Sequence, residues 1–141
     1  TQSFRHQTSN LKVNIIGYRP HSEIPHWLKA ADILVLPNTA KDQISKYYTS
    51  PVKMFEYMAS ERPIVASDLP SIRDILNEEN AFFFEPDNPK DLALAIEKLL
   101  KDKALAESIA TKAHQDVQYY TWSNRAKEVL DLISRNSHLE T

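Results

Sequence analysis

In the stretch 50–68, SPVKMFEYMASERPIVASD, a capped apolar helix runs almost directly into a short buried strand, a coupling that commits the chain to helix-on-sheet packing. Ser50 is a good N-cap, and Pro51 suits the first helical position, where its missing N–H removes nothing the helix would use. Such a tip presents free N–H groups and a partial positive charge. Lys53 in the first turn adds a full charge, so an anion, most naturally a phosphate, is stabilised there. Lys53, Glu56 and Ser60 recur at three and four residues and share one face, while Met54, Phe55, Met58 and Ala59 spread over the rest. Glu56 is thus expected to be a carboxylate in a largely buried helix, which is uncommon without a partner. One turn behind a bound diphosphate, about 5 Å along the axis, it can accept hydrogen bonds from a ribose diol. The same spacing fits a solvated Lys53–Glu56 ion pair worth roughly 0.2–0.5 kcal/mol, and spacing alone leaves both readings open.

Strands and helices alternate along the chain, which predicts an α/β layer fold with a mainly parallel sheet. A first strand is expected over 12–16, ended by Gly17, the only glycine in the sequence. That glycine either supplies a positive φ, letting a ligand approach the turn that continues through Tyr18 and Arg19, or makes an ordinary turn. Ser22 is a candidate cap for a helix over 23–30, with Pro25 still in its first turn, and 32–36 is a nearly all-apolar strand ended by Pro37. The polar loop 38–49, NTAKDQISKYYT, shows no clear periodicity and leads straight to Ser50. Loops beyond the carboxyl ends of parallel strands are where ligands bind in such sheets, so Tyr47 and Tyr48 either cover a ligand or pack on neighbouring surface. Further strands are expected over 63–67 and 81–84, with a helix between them ending at Leu76. Asn88, Pro89 and Asp91 resemble a capping box ahead of a stripe made by Leu92, Ala95, Ile96, Leu99 and Leu100, which is core packing. Two more helices follow over 103–120 and 123–134, the last with apolar Ala126, Val129, Leu130 and Ile133. The expected organisation is a linker over 1–11, a Rossmann-like domain over 12–120, and a C-terminal helix and tail over 121–141.

Composition narrows the chemistry. At 141 residues the chain suits one domain with a real core, since about two thirds of the unfolded surface is buried at that size. Seventeen basic against 19 acidic residues give no basic footprint for nucleic acid. Without cysteine there is no disulfide framework, and His6, His21, His26, His114 and His138 lack metal-ligand spacing, so no metal site is expected. His21 and His26 flank a helix start, where a surface or core role is the expectation. A single glycine excludes GxGxxG, the P-loop and GxSxG alike. No apolar run nears 18 residues and no signal-peptide pattern is present, so a soluble, cytoplasmic protein is expected. The chain starts without an initiator methionine and reads as a fragment of a longer protein.

The ordered series VNIIGYRPHSEIPHWLKAADILVLP, SPVKMFEYMASERPIVASDLPSIRDIL, NAFFFEPDNPKDLALAIEKLLKD and YTWSNRAKEVLDLI resembles the donor-binding half of retaining glycosyltransferases of family 4 over roughly residues 12–133. The resemblance implies the C-terminal half of a GT-B fold, a three-layer Rossmann-like domain. It implies a diphosphate held by Ser50, Pro51, Val52 and Lys53, a ribose held by Glu56, and a base and sugar bordered by Gly17, Tyr18, Arg19, Tyr48 and Thr49. It also implies an NDP-sugar of UDP or GDP type as donor, a saccharide or lipid-linked acceptor, retention of configuration, no metal or other cofactor, and a role in polysaccharide biosynthesis. Peripheral association with the inner face of the membrane is implied for the full-length protein. Any catalytic group is expected on an N-terminal domain, which leaves the fragment inactive alone.

Two departures from the family pattern stand out. The family pairs the helical glutamate with a second one, seven residues intervening on its N-terminal side, and that position is Tyr48. The Gly-containing turn and Arg/Lys pair that open the family's donor domain are absent from TQSFRHQTSNLK. A nucleotide-sugar epimerase of the same fold and a non-catalytic nucleotide-binding or regulatory α/β domain remain as alternatives. The first should carry further acid–base groups, and the second finds its best support in Tyr48.

Overall fold

The computed structural model describes residues 13–48 and 52–136. Its centre is a three-stranded parallel sheet in the order β1 (Leu34–Leu36), β2 (Ile64–Ser67), β3 (Phe82–Phe84). Val35 lies opposite Val65, and Ala66 opposite Phe83, so register and pleat agree across all three strands. β2 is buried at every position because it is central and covered on both faces.

Alternation along the strands divides the core in two. On one face Leu36, Ile64 and Ala66 pack with Met54, Met58, Leu69, Ile72, Leu76 and Ala113. On the other, Val65 and Phe84 pack with Ala95, Leu99 and Ile109. The first face is covered by α3 (Val52–Ala59) and α4 (Pro70–Arg73), the second by α5 (Pro89–Lys101), and α6 (Lys103–Val117) contributes to both. This is the α/β, parallel arrangement expected from the alternating pattern, in the three layers that the resemblance implies.

Several elements differ from expectation. No strand forms over 13–16, and Val13 and Ile15 are exposed: neither edge of the sheet pairs with this segment among the described residues. Lys12 lies outside the described residues. Ser22 does not cap α1 (Ile24–Ala30); it sits inside a 3-10 turn, His21–Glu23, that leads into the helix, with Pro25 in the first turn as expected. The loop over 38–49 holds a short helix, α2 (Gln43–Tyr47), because the Asp42 carboxylate accepts from the N–H groups of Ile44 and Ser45. The expected strands 32–36, 63–67 and 81–84 each begin one or two residues late.

The Asn88 carboxamide caps α5 as expected, accepting from the N–H groups of Lys90 and Asp91, both at 3.1 Å. Asp91 does not complete a capping box; its carboxylate accepts instead from the Glu85 N–H at the end of β3. Leu100 is exposed, because it lies about 80° around the helix from Leu92, at the edge of the buried stripe. α6 stops at Val117, short of the expected Tyr120. The last helix, α7 (Trp122–Asn136), starts before Ser123 because the Thr121 hydroxyl accepts from the Asn124 N–H. Trp122, Leu130 and Ile133 on α7 are exposed, so this amphipathic helix adds nothing to the buried core.

Candidate functional site

In a parallel sheet the connecting helices run against the strands, so helix starts gather at the carboxyl edge of the sheet. The links across that edge are specific. The Thr39 hydroxyl and the Ala40 N–H, after β1, donate to the Asp87 carboxylate, after β3. The Ser71 hydroxyl donates to the Ser45 carbonyl at 2.7 Å and fastens α2 to α4. Beyond β2, the Asp68 carboxylate receives the Arg73 guanidinium at 2.7 and 3.1 Å, and that bond holds its carboxyl below the ordinary aspartate range. Arg73 also pairs with Glu78 and lies 3.6 Å from the centre of the Phe83 ring.

Helix α3 leads to this edge. Met54 and Met58 anchor it in the core, which leaves Val52 and Lys53 exposed at its start and Glu56 about one turn further in. The Glu56 side chain is 33% exposed. It has a partner, but not the one helix spacing suggests: His21, whose Nδ1 lies 3.8 Å from Oε1 and which forms an ion pair only when protonated. No ion pair involves Lys53 among the described residues. Burial, and after it the negative charge of Glu56, push the neighbouring Tyr57 phenol above its ordinary range. Ser60 lines the same cavity as Glu56, in keeping with the spacing, but it is buried just beyond the helix, its hydroxyl donating to the Tyr57 carbonyl.

The chain after 13–16 reaches Glu56 at His21. Gly17 has φ 73°, a left-handed conformation that L side chains rarely adopt. A side chain there would meet nothing within 4 Å, so it is the backbone angle that calls for glycine. The chain then passes exposed Tyr18 and reaches His21, against Glu56. The Arg19 guanidinium lies 5.4 Å from the centre of the Trp27 ring. Between the 3-10 turn, α1 and α3 lies a cavity of about 200 Å³ lined by His21, Leu28, Lys29, Glu56, Ala59 and Ser60, among others.

The structure therefore brings His21 and Glu56 to one cavity, with Lys53 on the helix turn before Glu56; Gly17, Tyr18 and Arg19 are not among the residues that line it. Tyr48, at the end of α2, is exposed and its ring lies 6.3 Å from that of Tyr47. Thr49, Ser50 and Pro51 lie outside the described residues. Sequence reasoning did not pick out His21, since a lone histidine beside a helix start carries no distinguishing pattern. It also missed Asp87, whose position after the β3 strand was its one available signal. Among the described residues no cluster of metal-ligating side chains occurs.

The sequence model of the family described as Glycosyl transferases group 1 matches residues 1–102. An uncharacterized glycosyltransferase of Methanocaldococcus jannaschii is 29% identical over 123 residues, 86% of this chain and 30% of that protein. Among solved structures, sucrose-phosphate synthase from Thermosynechococcus elongatus superposes with a TM-score of 0.72 at 24% identity, over 91% of this chain and 31% of the other. Anabaena HepE in complex with UDP-glucose gives a TM-score of 0.72 at 20% identity, over 89% and 33%. The fold is thus that of GT-B glycosyltransferases, and the chain spans about a third of the length of these relatives. By its sequence the chain belongs to the group 1 glycosyl transferases.

Proposed function

We propose that this chain is the C-terminal, donor-binding part of a family 4 retaining glycosyltransferase, which moves a sugar from an NDP-sugar to a saccharide or lipid-linked acceptor. The observation that carries the reading is Glu56: a partly exposed carboxylate one turn inside α3, lining a cavity with His21, which follows Gly17 by four residues. The fold match to HepE, whose crystal structure holds UDP-glucose, supports a nucleotide sugar as the ligand.

In this reading the start of α3, with Ser50, Pro51 and Val52, binds the diphosphate through backbone N–H groups, and Lys53 neutralises it. The two act most strongly as the glycosidic bond breaks and negative charge builds on the leaving phosphate oxygens, which is where preorganised dipoles lower a barrier. Glu56 accepts from the ribose diol, Gly17, Tyr18 and Arg19 border the base, and Tyr48 and Thr49 border the sugar. Lys53 supplies the charge a metal would otherwise supply, so binding is proposed to survive chelation by EDTA. No catalytic role falls to a residue of this chain. Acceptor binding and turnover are assigned to a further domain, in a protein acting in polysaccharide biosynthesis at the cytoplasmic face of the membrane. No helix among the described residues is long and apolar enough to cross a membrane.

Calorimetric titration of UDP, GDP and ADP into the chain and into Glu56→Ala tests the reading. One of the first two should bind, and Glu56→Ala should weaken it severalfold. No binding, or binding indifferent to the substitution, overturns the ribose assignment, and sugar transfer by the chain alone overturns the need for a second domain. Tyr48, where the family has a glutamate, favours one second reading: a domain that binds the donor without turnover. That reading predicts hydrolysis- and transfer-free binding even in the full-length protein.

A further inference from the structure

His21 is the one side chain that forms an ion pair with Glu56 among the described residues, and it reaches Glu56 from the 3-10 turn His21–Glu23. At 3.8 Å the Nδ1–Oε1 separation is too long for a hydrogen bond, so a neutral imidazole contributes little, whereas a protonated one attracts the carboxylate. We propose that His21 is a positioning residue for the Glu56 carboxylate and that a nucleotide sugar binds this chain more tightly when the His21 imidazole is protonated. The inference rests on the reading of Glu56 as the ribose-binding group.

The geometry favours positioning over competition. An ionised carboxylate offers about four acceptor sites on its two oxygens, and the imidazolium draws on Oε1 alone, which leaves Oε2 and the rest of Oε1 for a diol. Glu56 is held on one flank by the packed body of α3 and on the other by His21, so fewer rotamers compete with the bound one. His21 itself is 87% exposed and costs the fold little in either protonation state.

Histidine is the side chain that ordinarily changes charge between pH 5 and 8. The other ionisable groups on the elements around the cavity are Arg19 and Glu23 beside the 3-10 turn, His26 and Lys29 on α1, and Lys53 and Tyr57 on α3. Only Lys29 among these lines the cavity with His21 and Glu56, and a lysine keeps its charge across that window. Tyr57, pushed upward by burial and by Glu56, stays neutral. His26 is therefore the control, and His114, on α6, is paired with Glu61 instead.

The test is the affinity of UDP-glucose and of GDP-mannose, measured by calorimetry at about pH 5.5 and about pH 8, on either side of an ordinary histidine. A diphosphate diester and these bases carry no group that titrates in that interval, so any change belongs to the protein. The wild-type chain should bind the better of the two ligands about two- to fivefold more tightly at the lower pH, the size of a partly exposed ion pair. His21→Asn should bind equally at both, at the wild-type high-pH level, while His26→Asn keeps the wild-type profile. A flat wild-type profile, tighter binding at high pH, or a pH dependence that survives His21→Asn overturns the proposal. Glu56→Ala separates the failures. If it binds as the wild type does, or nothing binds, the ribose reading falls and this inference with it; if it weakens binding while His21→Asn leaves the profile intact, the His21 inference alone falls.

Discussion

Asp87 and Thr39, 48 residues apart in sequence, are joined by a hydrogen bond of 2.7 Å across the end of the central strand. The second Asp87 oxygen accepts from the Ala40 N–H at 3.0 Å, and Asp87 itself sits at φ 60°. Because β1 and β3 flank β2, this pair ties the two outer loops together over the carboxyl edge where the ligand is proposed to lie. The Thr39 hydroxyl first, and the Ala40 N–H after it, hold the Asp87 carboxyl below its ordinary range. A depressed folded-state value means stability that is present above the unfolded aspartate value and lost as pH falls through the folded one. Asp87→Ala should therefore lower the urea midpoint at neutral pH and flatten its acid side. Asp87→Gly, which loses the same bonds but accepts the positive φ, should fall less. Equal midpoints for the two variants would show that the backbone angle contributes nothing, and an unchanged midpoint for both would remove the tie.

Where the sequence was legible, a local device was at work. The pattern Asn88-Pro89 announced α5 because a capping carboxamide and a proline at the first position act within one turn. The parallel sheet followed from apolar runs too short for helices. Asp42 shows the limit: its capping action on α2 was equally local but hidden in a polar loop with no apolar stripe to draw attention to it. The segment 13–16 failed for the opposite reason. Its apolar alternation is strand-like, yet a strand needs a neighbour, and pairing is a property of the whole sheet. Glu56 was recognised as a carboxylate in need of a partner, while the partner itself, His21, is 35 positions away and brought there by tertiary packing. The Gly17 turn is the middle case, since a lone glycine signals a special backbone angle without saying what it faces.

Asn80 makes the second testable tie. It is 1% exposed; its carbonyl oxygen accepts from the Asn77 N–H at 2.8 Å and its amide donates to Asp116 on α6 at 2.9 Å. This fixes the turn before β3 against the helix that contributes to both halves of the core. Burial raises the Asp116 carboxyl, but the Lys112 and Asn80 bonds outweigh it and the net direction is downward. Asn80→Ala should cost about 1–3 kcal/mol, since it strands one buried donor and one acceptor. It should also shrink the part of the stability that is lost as pH falls through the folded Asp116 value, because one of the two bonds responsible is gone. Urea unfolding of both proteins from about pH 7 to about pH 3 measures each effect. A loss below about 0.5 kcal/mol would mean that water replaces both bonds, contrary to the burial of this side chain.

A substitution at Lys53 tests the proposed phosphate contact apart from the proposed ribose contact. Lys53 is exposed at the start of α3, unpaired by any carboxylate among the described residues, while Glu56 is engaged by His21 one turn away. A cation so placed adds to the positive end of the helix, and both attract the phosphates rather than the sugar ring. Lys53→Gln, which removes the charge and shortens the side chain by one atom, should weaken UDP by roughly two- to fivefold and leave uridine unchanged. Raising the salt concentration should narrow the difference, because an exposed charge is screened within about 10 Å at 0.1 M ionic strength. Glu56→Ala should show the converse, weakening uridine and UDP by similar factors. If Lys53→Gln weakened uridine as much as UDP, the charge would be acting on the fold of α3 and not on the diphosphate.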